Sequence, residues 1–345
     1  MNAAFVPLAI CVNPMSGRDV RRLAARASNM THETKRDIVA RVAAGAEAMG
    51  VTDIFVTREP FRIASLALQH MGLRARVHVL ELPIHNSALD TEQAVAAFLE
   101  AGCSTLVSIG GDGTNRAIVR ALHAAQRCAD VHLVPLSTGT NNVFPVLEEP
   151  TVAGMVAGLQ ASGQVRNPQL SQRCKVLHVH EAAHDQRDLG LIDAVLLRDD
   201  FIGNLLPFAA EKIRRLLLTR AEPNAVGMSP IGGMIDVVDA ADDAALLVEM
   251  GSGSGDAQFL APLAPGAFQT VSVHAASRIP LDTPVIFRGP GILALDGDRE
   301  VRLSARGASI TVQRDGPWVL DIAATMRWVV GQGIIAPSLA GHHSL

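Results

Sequence analysis

Five consecutive residues, Gly110-Gly111-Asp112-Gly113-Thr114, have the make-up of an anion-binding turn. Glycine admits positive φ and lets backbone N–H groups approach a negatively charged ligand. The apolar run Thr105 to Ile109 before them reads as a strand. Asn115 to Arg127 after them is helical by spacing, with Ile118, Leu122 and Ala125 on one face. A helix starting there adds partial positive charge where a phosphate would sit. Asp112 is the odd member, because a carboxylate beside phosphate is costly unless it binds a metal or handles a proton.

Two further loops carry compatible chemistry. Ser137-Thr138-Gly139-Thr140-Asn141-Asn142 follows the strand-like run Val131 to Leu136 and offers small polar donors around one glycine; a helix-capping loop would read the same way. Asn13-Pro14-Met15-Ser16-Gly17-Arg18 ends the first apolar run, Phe5 to Val12. Ligands of open parallel sheets collect at the carboxyl ends of the strands, so three such loops predict one shared site. No Gly-x-x-x-x-Gly-Lys-Ser/Thr occurs and no Gly-x-Gly-x-x-Gly opens a helix, which excludes the P-loop and the dehydrogenase fingerprint.

Other signals compete. His180-Glu181-Ala182-Ala183-His184 fits the zinc-protease pattern, which works only on a helix. Lys175 to His180 alternates as a strand and Asp185 to Asp188 is a polar turn, so a hairpin tip is the expectation. His342-His343 reads as a tail. Lys212 to Arg220 is basic and amphipathic, and a packed helix with a solvated basic face is expected there. Phe201 to Asn204 would shape an acceptor pocket or simply turn the chain. Met228, Met234 and Met250 read as core. Asp296-Gly297-Asp298, between two apolar runs, has the chemistry of a hairpin turn.

The elements that must position these loops follow from periodicity. Residues 1–165 alternate short apolar runs with amphipathic ones: a helix with Ile38, Val42, Ala46 and Met49 on one face stopping at Gly50, a strand Val51 to Thr57, a short helix Arg62 to His70, a strand Arg76 to Leu82, and a helix to Glu100 opened by a capping box at Asp90 to Gln93. That alternation predicts an α/β domain, a doubly wound parallel sheet. Residues 166–320 break into short, turn-bounded runs and predict a β-rich C-terminal domain, interrupted by a helix Pro207 to Leu218. Residues 321–345 read as a helix, Ile322 to Val330, returning to the first domain, and a tail.

Composition bounds the function. The 345 residues, 48% hydrophobic and 19% charged, suffice for about two domains of ~100–200 residues each. A net charge of −4 gives no footprint for nucleic acid or an anionic membrane surface, and 3% aromatics without tyrosine argues against base stacking. Ala3 to Val12 holds Pro7 and no basic leader, and no run reaches the ~18 apolar residues of a span. Cys11, Cys103, Cys128 and Cys174 are scattered and read as reduced core residues. A cytoplasmic protein with a small-molecule substrate is expected, with its oligomeric state, homo-oligomer or monomer, left open.

Taken together, Asn13-Pro14…Ser16-Gly17, Gly110 to Thr114, Gly139-Thr140-Asn141-Asn142 and Leu295-Asp296-Gly297 resemble the NAD kinase/diacylglycerol kinase superfamily. Asn13 to Leu23 and Leu136 to Asn142 look like its acetoin catabolism protein X group, an NAD-kinase-like branch; the likeness runs in order over about residues 8–300. Gly-Gly-Asp-Gly-Thr alone also resembles the phosphofructokinase signature, and the other loops decide against it. The resemblance implies a two-domain kinase using ATP and Mg²⁺, with NAD as one acceptor. The nucleotide would be held by Asn13, Ser16, Gly17, Gly110, Gly111, Gly113, Thr114, Asn115, Thr138, Gly139, Thr140, Asn141 and Asn142. Asp112 would orient or deprotonate the acceptor hydroxyl, and Asp193, Asp296 and Gly297 would contact the acceptor. NAD kinases carry an Asn-Glu pair where this chain has Ile192-Asp193. Lipid kinases carry Gly-Thr-Gly-Asn-Asp and Asp-Gly-Glu where it has Gly139-Thr-Asn-Asn142 and Asp296-Gly297-Asp298. A lipid or polyol kinase, a nucleotide-binding regulator without turnover, and a zinc hydrolase are the alternatives, and the donor could be polyphosphate.

Overall fold

The computed structural model describes residues 5–18, 25–181, 183–251 and 253–336. His342-His343, Ala182 and the Asp19 to Leu23 part of the first motif lie outside them. The chain runs β1 (Pro7–Val12), α1 (His32–Ala48), β2 (Asp53–Thr57), α2 (Ile63–Leu68), β3 (Arg76–Leu80), α3 (Ala88–Glu100), β4 (Thr105–Gly110), α4 (Asp112–Ala124), β5 (His132–Ser137), α5 (Pro150–Ala161) and β6 (Ser171–Arg173). It continues through β7 (Val176–Glu181), β8 (Gln186–Gly190), β9 (Asp193–Leu197), β10 (Ile213–Leu218), α6 (Ser229–Gly233), β11 (Ala244–Met250), β12 (Ala257–Ala264), β13 (Ala267–Pro280) and β14 (Pro284–Phe287). It ends with β15 (Gly291–Leu295), β16 (Asp298–Leu303), β17 (Ala308–Gln313), β18 (Trp318–Leu320) and α7 (Ile322–Gly331).

The first sheet has the order β3-β2-β1-β4-β5-β18-β6, with β1 to β5 parallel. Both of its faces are covered, as a parallel sheet requires. Leu8, Ile10 and Val12 of β1 point to α1, α2 and α5, while Ala9 and Cys11 point to α3 and α4. The N-terminal region is therefore the doubly wound α/β sheet expected, and all four cysteines are buried and free. α1 begins at a Thr31 cap, whose side chain accepts the Thr34 N–H, and stops before Gly50 at φ +98°. α3 departs from expectation: its cap is Ser87, and the Asp90 carboxylate instead accepts the N–H groups of His85 and Asn86, closing the preceding loop.

The chain leaves this sheet after β6 and returns at β18. Between them lie two antiparallel sheets, β12-β13-β11-β10-β9-β15-β16 and β14-β17-β7-β8, the expected β-rich region. They pack face to face through Leu196, Leu217 and Leu293 on one and Val179, Phe287 and Ile310 on the other. Residues 213–218 form strand β10, not the helix expected over Pro207 to Leu218; only Ala210–Lys212 makes a single 3₁₀ turn. Partners on both sides, β9 and β11, override the helical reading of an Ile-Arg-Arg-Leu-Leu-Leu run that suits either period. Met228 is core as expected, whereas Met234 is exposed. α7 returns onto α5, burying Val329 with Leu159, Val165 and Leu170. No helix among the described residues is long and apolar enough to cross a membrane.

Candidate active site

Strand register brings the three loops together. Val12 pairs with Ile109, Ile109 with Leu136, and Gly110 with Ser137, so β1, β4 and β5 end at one level. β1 and β4 are neighbours at the point where the winding reverses, the crevice where such sheets bind ligands. Cross-loop bonds then fix the rim: Asn13 Nδ2 donates to Thr114 Oγ1 at 2.8 Å, and the Ser16 and Thr138 hydroxyls lie 2.6 Å apart. The loops open on a cavity of about 390 Å³ between the parallel sheet and the β-rich region.

The glycines act differently from the sequence reading. None of Gly110, Gly111, Gly113 and Gly139 has positive φ; Gly17 does, at +69°. What they supply is space. A Cβ on Gly139 would come within 2.8 Å of Gly111 Cα and collide with Asn142 Oδ1, and one on Gly110 would collide with the Thr114 side chain. The two loops are thus pressed backbone to backbone. Asp112 opens α4, and its first-turn residues Asp112, Gly113 and Thr114 line the cavity.

Asn13, Ser16, Gly17, Gly111, Asp112, Gly113, Thr114, Gly139, Thr140, Asn141, Asp193, Asp296 and Gly297 all line the cavity. The other four stand behind the wall. Asn115 is buried, accepting from Ser108 Oγ at 2.6 Å and donating to the Gly111 carbonyl at 2.9 Å, so it props the glycine turn. Thr138 is tied to Ser16, Asn142 Nδ2 donates to the Gly139 carbonyl, and Gly110 ends its strand against Thr114. Their contacts brace the loops from behind the cavity wall.

Carboxylates from both halves of the molecule meet on the floor. Asp112 Oδ1 accepts the backbone N–H of Phe144 at 2.9 Å and of Val143 at 3.2 Å. Burial nonetheless pushes its carboxyl up to about 7, helped by the charge of Asp296 and opposed by Arg220. Asp296, in the turn between β15 and β16 at φ +49°, accepts the N–H groups of Leu191, Ile192 and Asp193. Burial raises its carboxyl too, against the pull of Arg116, and burial followed by Asp296 and Asp112 raises Asp193 well above the usual carboxylate range.

Two further residues belong to the site. Lys35 of α1 is fully buried and donates to the carbonyls of Asn13, Pro14 and Ser16 at 2.7–2.8 Å, holding the first loop from beneath. Asp298 lines the cavity opposite Gly113. Its place in Asp296-Gly297-Asp298, a hairpin turn as expected, was the available signal; for Lys35 there was none, since it reads as a solvated helix lysine. His180-Glu-x-x-His184 sits on the β7–β8 hairpin, with His180 against Asp185 and His184 against Glu181, so no zinc-protease helix exists there.

A doubly wound parallel sheet whose glycine-rich loops open on a cleft closed by a β-rich half is the NAD-kinase-like arrangement. Residues 8–164 match the ATP-NAD kinase N-terminal domain and residues 175–315 the acetoin catabolism protein X C-terminal domain. Acetoin catabolism protein X from Cupriavidus necator (strain ATCC 17699) is 30% identical over 331 residues, covering 92% of this chain and 90% of its own length. The chain belongs to the acetoin catabolism protein X family. Two solved structures from Bacillus anthracis str. Sterne, described as a putative diacylglycerol kinase and a diacylglycerol kinase, align over 92% of this chain and 97% of theirs, at 12% and 11% identity and TM-scores of 0.46 and 0.43.

Proposed function

We propose that the protein is an ATP-dependent phosphotransferase that phosphorylates a hydroxyl of NAD or a related small molecule. The observation that carries this reading is the convergence of three loops and the α4 N-terminus on a cavity floored by Asp112. The glycines let the two loops close on each other at the cavity rim, and Asn141 Oδ1 and Asp193 Oδ1 are buried without a hydrogen-bond partner. Those features fit a nucleotide and its cation. Asp193 and Asp298 would hold the divalent ion, which when bound neutralises phosphate charge. Asp112 would take the acceptor's hydroxyl proton as that oxygen attacks the γ-phosphorus and ADP leaves.

A lipid or other apolar alcohol is the second reading, favoured by the exposed Phe201, Ile202, Leu205 and Leu206 beside Pro207 and Phe208 of the cavity wall. Purified protein with ATP, Mg²⁺ and NAD should form NADP, and Asp112→Asn should abolish formation while retaining ATP binding. ATP binding without NADP, but with turnover of an apolar alcohol, would transfer the assignment to the second reading. Binding without any turnover would make the protein a nucleotide-dependent regulator.

A further inference from the structure

Away from the cleft, three metal-ligating side chains meet at the junction of the parallel and antiparallel sheets. His123 lies in the last turn of α4, His178 in β7, and Asp315 in the link from β17 to β18. His178 Nε2 is 3.0 Å from Asp315 Oδ2, and His123 Nε2 is 3.8 Å from Asp315 Oδ1. One donor atom from each residue fits within 4.8 Å of the other two. His123 Nε2 is buried and makes no hydrogen bond, although an imidazole nitrogen in that position needs a partner. We propose that His123, His178 and Asp315 bind one first-row divalent metal ion, with Zn²⁺ the ion their donor set suits best.

Geometry and chemistry agree. Ligands on a tetrahedral Zn²⁺, with bonds of ~2.0–2.1 Å, stand roughly 3.4 Å apart. The two edges through Asp315 already bracket that value, and the third lies within 4.8 Å, in reach of a rotamer adjustment. Two imidazoles and a carboxylate favour zinc-like ions over Mg²⁺ and Ca²⁺, which take oxygen. The guanidinium of Arg173 bonds the main-chain carbonyls of Asp315 and Gly316, fixing the turn and leaving the Asp315 carboxylate to the histidines. The ion would clamp α4 to β7 and to the returning chain. Asp112 is at the opposite end of α4, ~16 Å away at 1.5 Å per residue, so the site is separate from the phosphate cleft.

The test is Zn²⁺ titration of the full chain, stripped with a chelator, against a chromophoric competitor, with metal content measured after dialysis. Wild type should hold one Zn²⁺. His123→Gln, His178→Asn and Asp315→Asn should each weaken binding by at least ~100-fold, the upper end of what losing a mere outer-shell partner does. His180→Asn and a His342→Ala/His343→Ala double variant should bind as wild type. Co²⁺ should give tetrahedral visible bands that the three ligand variants lose. Circular dichroism of the metal-free variants guards against misfolding, and His123→Gln, in a terminal helix turn, decides if His178→Asn does not fold. Zn²⁺ uptake that survives in His123→Gln and Asp315→Asn, or a wild type that takes up none at micromolar metal, overturns the proposal.

Discussion

Asp112 accepts two backbone N–H groups with one oxygen and still keeps a carboxyl raised to about 7, because burial and Asp296 outweigh those bonds and Arg220. A base must be ionised to take a proton, so kcat/KM should rise with pH through about 7 and level off above it. The same shift has a stability consequence of defined sign. Between the ordinary carboxylate value and about 7 the folded protein binds the extra proton; stability from this group is complete below that window and lost as pH rises through it. Asp112→Asn keeps the accepting oxygen and removes the titration. It should therefore lose catalysis yet unfold at higher urea than wild type at pH 8, by at least about 1 kcal/mol, with no difference near pH 4. Equal midpoints at both pH values would show that Asp112 ionises as an ordinary surface carboxylate.

At the scale of elements, the site depends on two loops in backbone contact. Gly139→Ala places a methyl against Gly111 Cα and Asn142 Oδ1, so the loops must part. ATP affinity should fall at least ~10-fold, equivalent to 1.4 kcal/mol, while the far-UV spectrum stays unchanged. Unchanged affinity would mean that the β4–α4 turn binds phosphate without its neighbour. The loops were legible in the sequence because their residue types are restrictive: Gly110 to Thr114 and Gly139 to Asn142 fall at the ends of apolar runs that β4 and β5 reproduce within a residue or so. The reason for the glycines was not legible, since closeness between chains 28 residues apart leaves no local mark that positive φ would not also leave. β10 failed for the opposite reason, with its strand state imposed by neighbours that local spacing does not reveal. Lys35, His123, His178 and Asp315 escaped notice because each meets its partners only through the fold.

On the scale of the whole molecule, α4 is the element shared by both halves. Its N-terminus carries Asp112, and its middle carries Arg116, whose buried guanidinium donates to the Leu189 carbonyl, to Asp188 at 2.7 Å and to Glu300 at 2.7 Å. Arg120 adds a second bond pair to Asp188 and an ion pair to Glu92 of α3. Asp296, 4.0 Å from the Arg116 Nε, is itself held by the amides just before β9. The acidic floor of the cleft is thus assembled by a helix of one half gripping a hairpin and a turn of the other. Arg116→Met keeps the side chain's bulk but removes the donor of the buried Leu189 carbonyl and the cation nearest Asp296, and leaves Asp188 to Arg120 alone. A buried pair broken on one side costs about 3–5 kcal/mol, and the loss should register in the urea midpoint. Hydrogen exchange locates the effect more sharply. If α4 joins the halves, the amides of β8, of the β15–β16 turn and of 191–193 should lose protection together with α4, while β1 to β3 keep theirs. Deprotection confined to α4 would mean that each half holds its own edge of the cleft, and that Asp112 and Asp296 are brought together by sheet packing alone.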